Sequence, residues 1–338
     1  MKIALVSTQR TAVPPPRSGS VELIVGLLAA ELARRGHEVT VFAPGGSAVA
    51  GRVVSLLPAG YHEDPEVWDW ELAEFMQLGL VYERAAEFDV IHSHAYCYAL
   101  AFTGLVRTPT VHTFHICPTP DFVRYCGMHP EGRYVVLSEF QRRFLDGIQV
   151  EAIVPNGIET RSFPWSDRTG GYLAFLGDLR EDKGPLAAVA LSQESGIPLR
   201  LAGRETPWSR GVLARLIDGR HIEYVGELDH DGKAELLAGA LALVFLSPGH
   251  EACPLVLLES MACGTPVLAL NRGPVPELVT EGVTGFYADD LRELFERAGD
   301  VETLDRGAIR RSAVERFDVA RMTDDYLDLF ARACETRA

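Results

Sequence analysis

The stretch Gly249–Leu268, reading GHEACPLVLLESMACGTPVL, places two carboxylates, Glu251 and Glu259, around the start of an apolar segment that Gly264-Thr265-Pro266 brings to an end. On a single helix, eight positions at 1.5 Å each would part the two by roughly 12 Å. The spacing fits better with Glu251 in a loop, Pro254 in the first turn of a helix and Glu259 inside it. The unpaired first-turn amides would then face whatever Glu251 faces, an arrangement suited to phosphate or to the hydroxyls of a sugar. A second stretch, GDLREDKG at Gly177–Gly184, follows a strand and precedes a helix, with Lys183 placed to reach an anion. It lacks the G-x-x-x-x-G-K-[ST] order of a Walker loop, and by spacing alone Lys183 reads more readily as a surface lysine. A retaining hydrolase with Glu251 and Glu259 about 5 Å apart is a competing use of the carboxylates, but it gives the phosphate-like loop no role. His112, His115, Cys117, Cys126 and His129 include zinc-compatible spacings. With no C-x-x-C pair, and with strand ends accounting for the histidines, no metal is expected.

These residues need elements to hold them. Lys2–Ser7 reads as a buried strand, Thr8–Ser20 as a proline-rich loop, Val21–Arg35 as a helix stopped by Gly36, and Glu38–Phe42 as a strand. The loop has no G-x-G-x-x-G, which argues against a dinucleotide. Its Gly19 serves either a close backbone approach to a ligand or the loop alone. Tyr61–Phe88 reads as helical, with Trp68, Trp70, Phe75 and Tyr82 as core. Val90–Ser93 and Thr110–Phe114 read as parallel strands with His92, His94, His112 and His115 near their carboxyl ends, where open α/β sheets bind ligands. Tyr134–Leu137 and Ala152–Val154 complete a first half, with a helix starting at Ser138. Strands at Tyr172–Leu176, Leu199–Ala202, Ile222–Tyr224, Ala242–Leu246 and Val267–Leu270 form a second. Helices follow at Asp289–Ala298, capped by the Asp289-Asp290 pair, at Val301–Phe317, and from about Asp318 to Arg332. The fold class is α/β: two Rossmann-like domains facing across a cleft. The domains are expected at 1–162, with 318–338 packed back on it, and at 163–317.

Composition narrows the function. The 338 residues are 47% hydrophobic, ample for two cores, and the net charge of −15 is contrary to nucleic-acid binding or docking on anionic lipid. No apolar run reaches the roughly 18 residues of a membrane span, Ile3–Ser7 is too short for a signal sequence, and six cysteines without regular spacing read as free thiols. A cytoplasmic protein with no membrane anchor is expected.

The order of motifs resembles the retaining nucleotide-sugar glycosyltransferases of family 4, which have the GT-B fold. The resemblance rests on the E-x7-E signature at Glu251 and Glu259, on PNGIE at Pro155–Glu159, on GDLREDKG, on RGPVPELVTEGVTGF at Arg272–Phe286, on HTFH at His112–His115 and on VPPPRSGSVE at Val13–Glu22. It implies a hexose-type sugar moved from a nucleoside-diphosphate sugar, uridine rather than guanosine diphosphate, to a small soluble acceptor, with no metal or cofactor. Lys183 would hold the diphosphate. Glu251 would lie over the donor sugar beside the amides of Cys253, Pro254 and Leu255, and Glu259 would take the ribose hydroxyls. Gly19, Gly177 and Arg180 would border the donor, His115 would meet the reacting face, and His94 and Tyr96 would border the acceptor, held by the N-terminal domain. Three positions depart from the family pattern. Asp178 stands where Arg usually follows the loop glycine, so that Arg180 or Arg204 would have to supply its charge, and Ser18 and Ser20 replace a tyrosine and a glycine. Asp178 and Ser20 motivate one rival, a non-catalytic or weakly active nucleotide-sugar binder, and a GT-B sugar-nucleotide epimerase is a further alternative.

Overall fold

A computed structural model describes residues 1–249 and 251–335. The short apolar runs become strands. In the first half these are β1 (Lys2–Val6), β2 (Glu38–Phe42), β3 (Arg52–Val54), β4 (Val90–Ser93), β5 (Thr110–Thr113), β6 (Arg133–Val136) and β7 (Val150–Ile153). They form one parallel sheet in the order β3-β2-β1-β4-β5-β6-β7. The second half contributes β8 (Leu173–Leu176), β9 (Leu199–Ala202), β10 (Ile222–Gly226), β11 (Ala242–Phe245), β12 (Val267–Leu270) and β13 (Gly285–Ala288). Their order, β10-β9-β8-β11-β12-β13, repeats the pattern of the first six strands of the other sheet. Each sheet therefore reverses direction once, between β1 and β4 and between β8 and β11. Such switch points open a crevice at the carboxyl ends of the strands.

The chain divides into two compact units. Met1–Gly157 joins the C-terminal helix in the first, and Ile158–Asp318 makes the second. Helix Val319–Glu335 buries Val319, Met322, Thr323, Tyr326, Leu329, Phe330 and Ala333, a stripe at helical spacing. The stripe packs on helix Ser20–Arg34 and on β4 and β5, as expected of a last helix returning to the N-terminal half. Arg35 clamps the same helix through Asp324 and, at 2.8 Å, the carbonyl of Ala320.

Some expectations need correction. Helix does not run through Tyr61–Phe88: it spans Trp70–Glu83, started by Asp69, whose side chain accepts from Leu72 N. Its buried face is Ala73, Glu74, Gln77, Leu78, Val81 and Tyr82. Trp70 and Phe75 fall off that face and are 43% and 39% exposed, while Trp68, ahead of the helix, is 93% exposed; only Tyr82 of the four aromatics is core. The stretch Val301–Phe317 is broken, because Asp305 caps a new helix, Arg306–Phe317, by accepting from Gly307 N and Ala308 N.

Candidate active site

In the second unit the loops after β8 and β11, the two strands flanking the switch point, bring opposite charges together. After β8 the chain leaves the sheet at Gly177, forms a short turn at Glu181–Lys183, and enters helix Pro185–Ser195 through Gly184. Gly184 has φ +78°, and a Cβ there would lie 2.8 Å from the carbonyl of Leu246, just past β11, so only glycine lets the loop pack this closely. Lys183 Nζ consequently meets Glu251 Oε1 in an ion pair. Both side chains stay more than a quarter exposed, open to a ligand.

Glu251 lies outside helix Leu255–Ala262, as its spacing implies, and Glu259 lies within it. Pro254 is the cap rather than a first-turn residue. Having no N–H, Pro254 leaves Cys253 and Leu255 as the amide donors of this trio. Glu259 is 4% exposed and its Oε1 takes the ammonium of Lys233, from helix His230–Gly239. Neither lysine is an accident of the surface: each neutralises one of the two glutamates. Lys233 has no motif in the sequence, and only the packing of its helix on Leu255–Ala262 reveals it.

The charge at Asp178 is also resolved. Arg204 Nη2 donates to Asp178 Oδ2 at 2.6 Å, and Leu179 N reaches the Arg204 carbonyl at 2.9 Å. A Cβ at Gly203 would sit 1.9 Å from the Gly177 carbonyl, so the two loops touch through their backbones. Arg180 instead turns onto its neighbour Asp182, Nε to Oδ1 at 2.9 Å. Arg204, not Arg180, is the guanidinium fixed to the head of this loop.

The first unit has its own constellation at the equivalent switch point. Gly19 is the cap residue before helix Ser20–Arg34, in extended backbone. Glu22, buried in the first turn, accepts from Thr8 Oγ1. Beyond β4 and β5, His94 Nδ1 lies 2.8 Å from His115 Nε2. His92 Nε2 is 2.8 Å from Thr113 Oγ1, and His112 Nε2 is 3.0 Å from Thr103 Oγ1. Tyr96, at φ +47°, packs its ring 4.9 Å from Phe122 and 5.8 Å from Tyr98. Thus His94 and His115 are brought together, with Tyr96 two residues on from His94. Of the zinc-compatible residues, His112 is committed to Thr103 and His129 to Glu131, and no metal-holding group of His, Cys, Asp or Glu occurs among the described residues.

Burial keeps this histidine cluster neutral. It pushes His115 down to about 4 and His112 to about 3, and holds His92 and His94 well below the usual imidazole range, helped by neighbouring rings. An imidazole that is hard to protonate when folded contributes stability that is full above about pH 6.5 and is lost as pH falls toward 3–4. Glu74 opposes this: burial raises it to about 8, so its contribution is full below its ordinary carboxylate range and is lost as pH rises through about 8. Between pH 6.5 and 4 the four imidazoles should dominate at about 1.4 kcal/mol per unit of depression. Melting temperature should therefore fall across that window, and less steeply in His112→Gln. Parallel slopes for both proteins would show that His112 is not held neutral.

Known proteins resemble the chain along most of its length. Residues 21–162 match the family described as Glycosyltransferase Family 4, and residues 161–296 match Glycosyl transferases group 1. The chain is 25% identical to the phosphatidyl-myo-inositol mannosyltransferase of Mycobacterium tuberculosis, over 94% of this chain and 93% of that one. It is 27% identical to the D-inositol 3-phosphate glycosyltransferase of Mycolicibacterium smegmatis, over 98% and 91%. Among solved structures, AviGT4, a glycosyltransferase involved in avilamycin A biosynthesis, aligns with a TM-score of 0.74 at 23% identity, over 99% of this chain and 98% of that one. Anabaena HepE in complex with UDP aligns with a TM-score of 0.76 at 18% identity, over 98% and 100%. The chain is a glycosyltransferase of the GT-B fold, related to family 4.

Proposed function

We propose that this enzyme moves a hexose-type sugar, with retention of configuration, from a nucleoside-diphosphate sugar to a small soluble acceptor and needs no metal to do so. The observation that carries the reading is the Lys183–Glu251 pair beside the amino end of helix Leu255–Ala262, at the carboxyl ends of β8 and β11. A diphosphate fits there because Lys183 and the helix amides supply positive potential where charge builds up on the leaving group. Glu251, released from Lys183 by the phosphates, is then free to accept from the sugar's hydroxyls. Glu259, paired with Lys233, suits a ribose diol. In this reading the second unit is the donor domain and the first the acceptor domain, with His115 at the reacting face and His94 and Tyr96 toward the acceptor. The leaving phosphate takes the acceptor's proton, so no enzyme nucleophile is required.

Uridine diphosphate is the preferred carrier; a solved relative of the same fold, HepE, binds UDP. The curated relatives are named for inositol-based acceptors, one lipid-linked and one phosphorylated. The net charge of −15 favours a soluble acceptor over an anionic membrane surface, and no helix among the described residues is long and apolar enough to cross a membrane. Six cysteines outside any disulfide suit the reducing cytoplasm.

Arg204 favours an active enzyme over a binder, because it cancels the negative charge that Asp178 places at the phosphate loop. Calorimetry with UDP and GDP, followed by NMR of the product formed from an α-linked UDP-hexose with EDTA present, tests the whole reading. An α-linked product is expected. A β-linked product, epimerised donor, or no binding of either nucleotide would sink it. In Arg204→Ala, UDP affinity should drop about tenfold, the loss of one charge-assisted contact; unchanged affinity would free Arg204 of this role.

A further inference from the structure

Buried side-chain atoms without a hydrogen-bond partner gather at one place in the first unit. Ser7 Oγ, Gln9 Oε1, Glu74 Oε2 and His94 Nε2 are all of this kind, on residues no more than 3% exposed. They share one neighbourhood. Gln77 Nε2 donates to the Ser7 carbonyl at 2.8 Å and Gln9 Nε2 donates to Gln77 Oε1; Gln9 N donates to Glu74 Oε1 at 2.7 Å, and His94 N donates to the Val6 carbonyl at 2.9 Å. The loop carrying Gln9 cannot swing away to relieve them. Tyr61 N holds the Gln9 carbonyl at 3.0 Å, His62 N holds that of Arg10 at 3.1 Å, and Thr11 Oγ1 bonds Glu63.

Buried polar groups left open in a rigid frame are costly, and a ligand that completes them recovers the loss. The set is mixed: a hydroxyl, an amide oxygen, an imidazole nitrogen and a carboxyl. Burial raises Glu74 to about 8, with Glu22 adding to the effect, so near neutral pH its carboxyl holds a proton to donate. Such a set matches neutral hydroxyls. Aromatic rings adjoin it: Tyr61 and Trp70 lie 5.9 Å apart, Trp70 and Tyr98 6.4 Å, and both tyrosines are electrostatic neighbours of Glu74. The exposed part of Trp70 offers a flat apolar surface to the C–H face of a ring. Among the described residues neither Glu22 nor Glu74 is ion-paired with a lysine or arginine, and the guanidinium felt by Tyr61, that of Arg10, donates to His62, so a phosphate would meet two carboxyl groups that no cation is paired with.

We propose that this cluster, centred on Glu74 at the carboxyl end of β1, is the docking site for the hydroxyl-bearing ring of the acceptor, and that it selects an unphosphorylated ring over a phosphorylated one. The assignment rests on the transferase reading only in calling the bound ring the acceptor.

Saturation-transfer NMR on the full chain without nucleotide tests it, using myo-inositol, methyl glucoside and glucose against inositol 3-phosphate and glucose 6-phosphate. At least one neutral ring should bind, and its phosphorylated counterpart should bind about tenfold or more weakly, the scale on which an unmatched polar group is rejected. Glu74→Ala should lose about tenfold in ring affinity and raise the acceptor KM with little change in kcat. Glu74→Gln, whose amide N–H stands in for the acid O–H, should restore most of that loss, which a merely structural role would not predict. Equal or tighter binding of the phosphorylated rings, unchanged affinity in Glu74→Ala, or no neutral ring bound would overturn the proposal. UDP calorimetry on the same samples separates the two readings: ring binding without UDP binding fails the donor reading alone, and the reverse fails this one alone.

Discussion

Lys183→Ala should lower kcat for sugar transfer by about 10²- to 10³-fold, the range found when one preorganised donor to a developing anion is removed. Two effects add. The ammonium that would stabilise the departing diphosphate is gone, and Glu251, which it neutralises in the ligand-free enzyme, is left as a bare carboxylate beside the incoming phosphates. UDP affinity should fall less than kcat, because the charge on the leaving group grows as the glycosidic bond breaks. Lys183→Arg should recover only part of the rate: a planar fork does not place its charge where a compact ammonium does. Single-turnover measurement with saturating donor reads the effect directly. A kcat within about threefold of the parent enzyme would remove Lys183 from the chemistry.

Tyr326→Ala should destabilise the first unit by about 3–5 kcal/mol, the usual result of deleting a large buried ring. Tyr326 is 1% exposed, and its ring centroid lies 4.5 Å from that of His92 and 6.0 Å from that of Phe330. Its hydroxyl is 2.9 Å from Thr113 Oγ1, which also meets His92. The substitution therefore opens a cavity and strips a partner from a buried polar chain. Tyr326→Phe keeps the ring and should lose about 1 kcal/mol. Thermal melts of the three proteins check both values. UDP should still raise the melting temperature of Tyr326→Ala, because the proposed donor residues other than Gly19 belong to the other unit; equal melting of Tyr326→Ala and the parent would refute the packing role.

The sequence shows this fold where local chemistry decides it. Ser138 and Asp290 announce helices by accepting from the amides three residues on, and Gly36 and Gly264, both at positive φ, mark where helices stop. It is silent about β3 and β13. Arg52–Val54 is too short to show alternation, and Gly285–Ala288 sits inside a stretch that reads as a motif. The candidate donor residues are legible because glycine, proline and acidic residues fall at telling intervals around Glu251 and Lys183. Their pairings are not. Lys183 meets Glu251 across 68 positions, Arg204 meets Asp178 across 26, and Gln9 meets Glu74 across 65, and only the strand order sets these meetings. Glu74 is the clearest case. A glutamate among Trp70, Phe75 and Met76 looks like the wet side of a helix, yet those large apolar residues are the exposed ones and the carboxyl is buried.

The route of the backbone through the two units bears on how the enzyme is made. Ile158–Asp318 is continuous, so everything its sheet needs has been synthesised before Val319 is added. The first unit starts earlier and is completed later, since part of the cover over His92 and the helix Ser20–Arg34 comes from Val319–Glu335. Until Val319–Glu335 is added, the first unit lacks the cover that Met322, Tyr326 and Phe330 provide, whereas the second lacks nothing of its sheet.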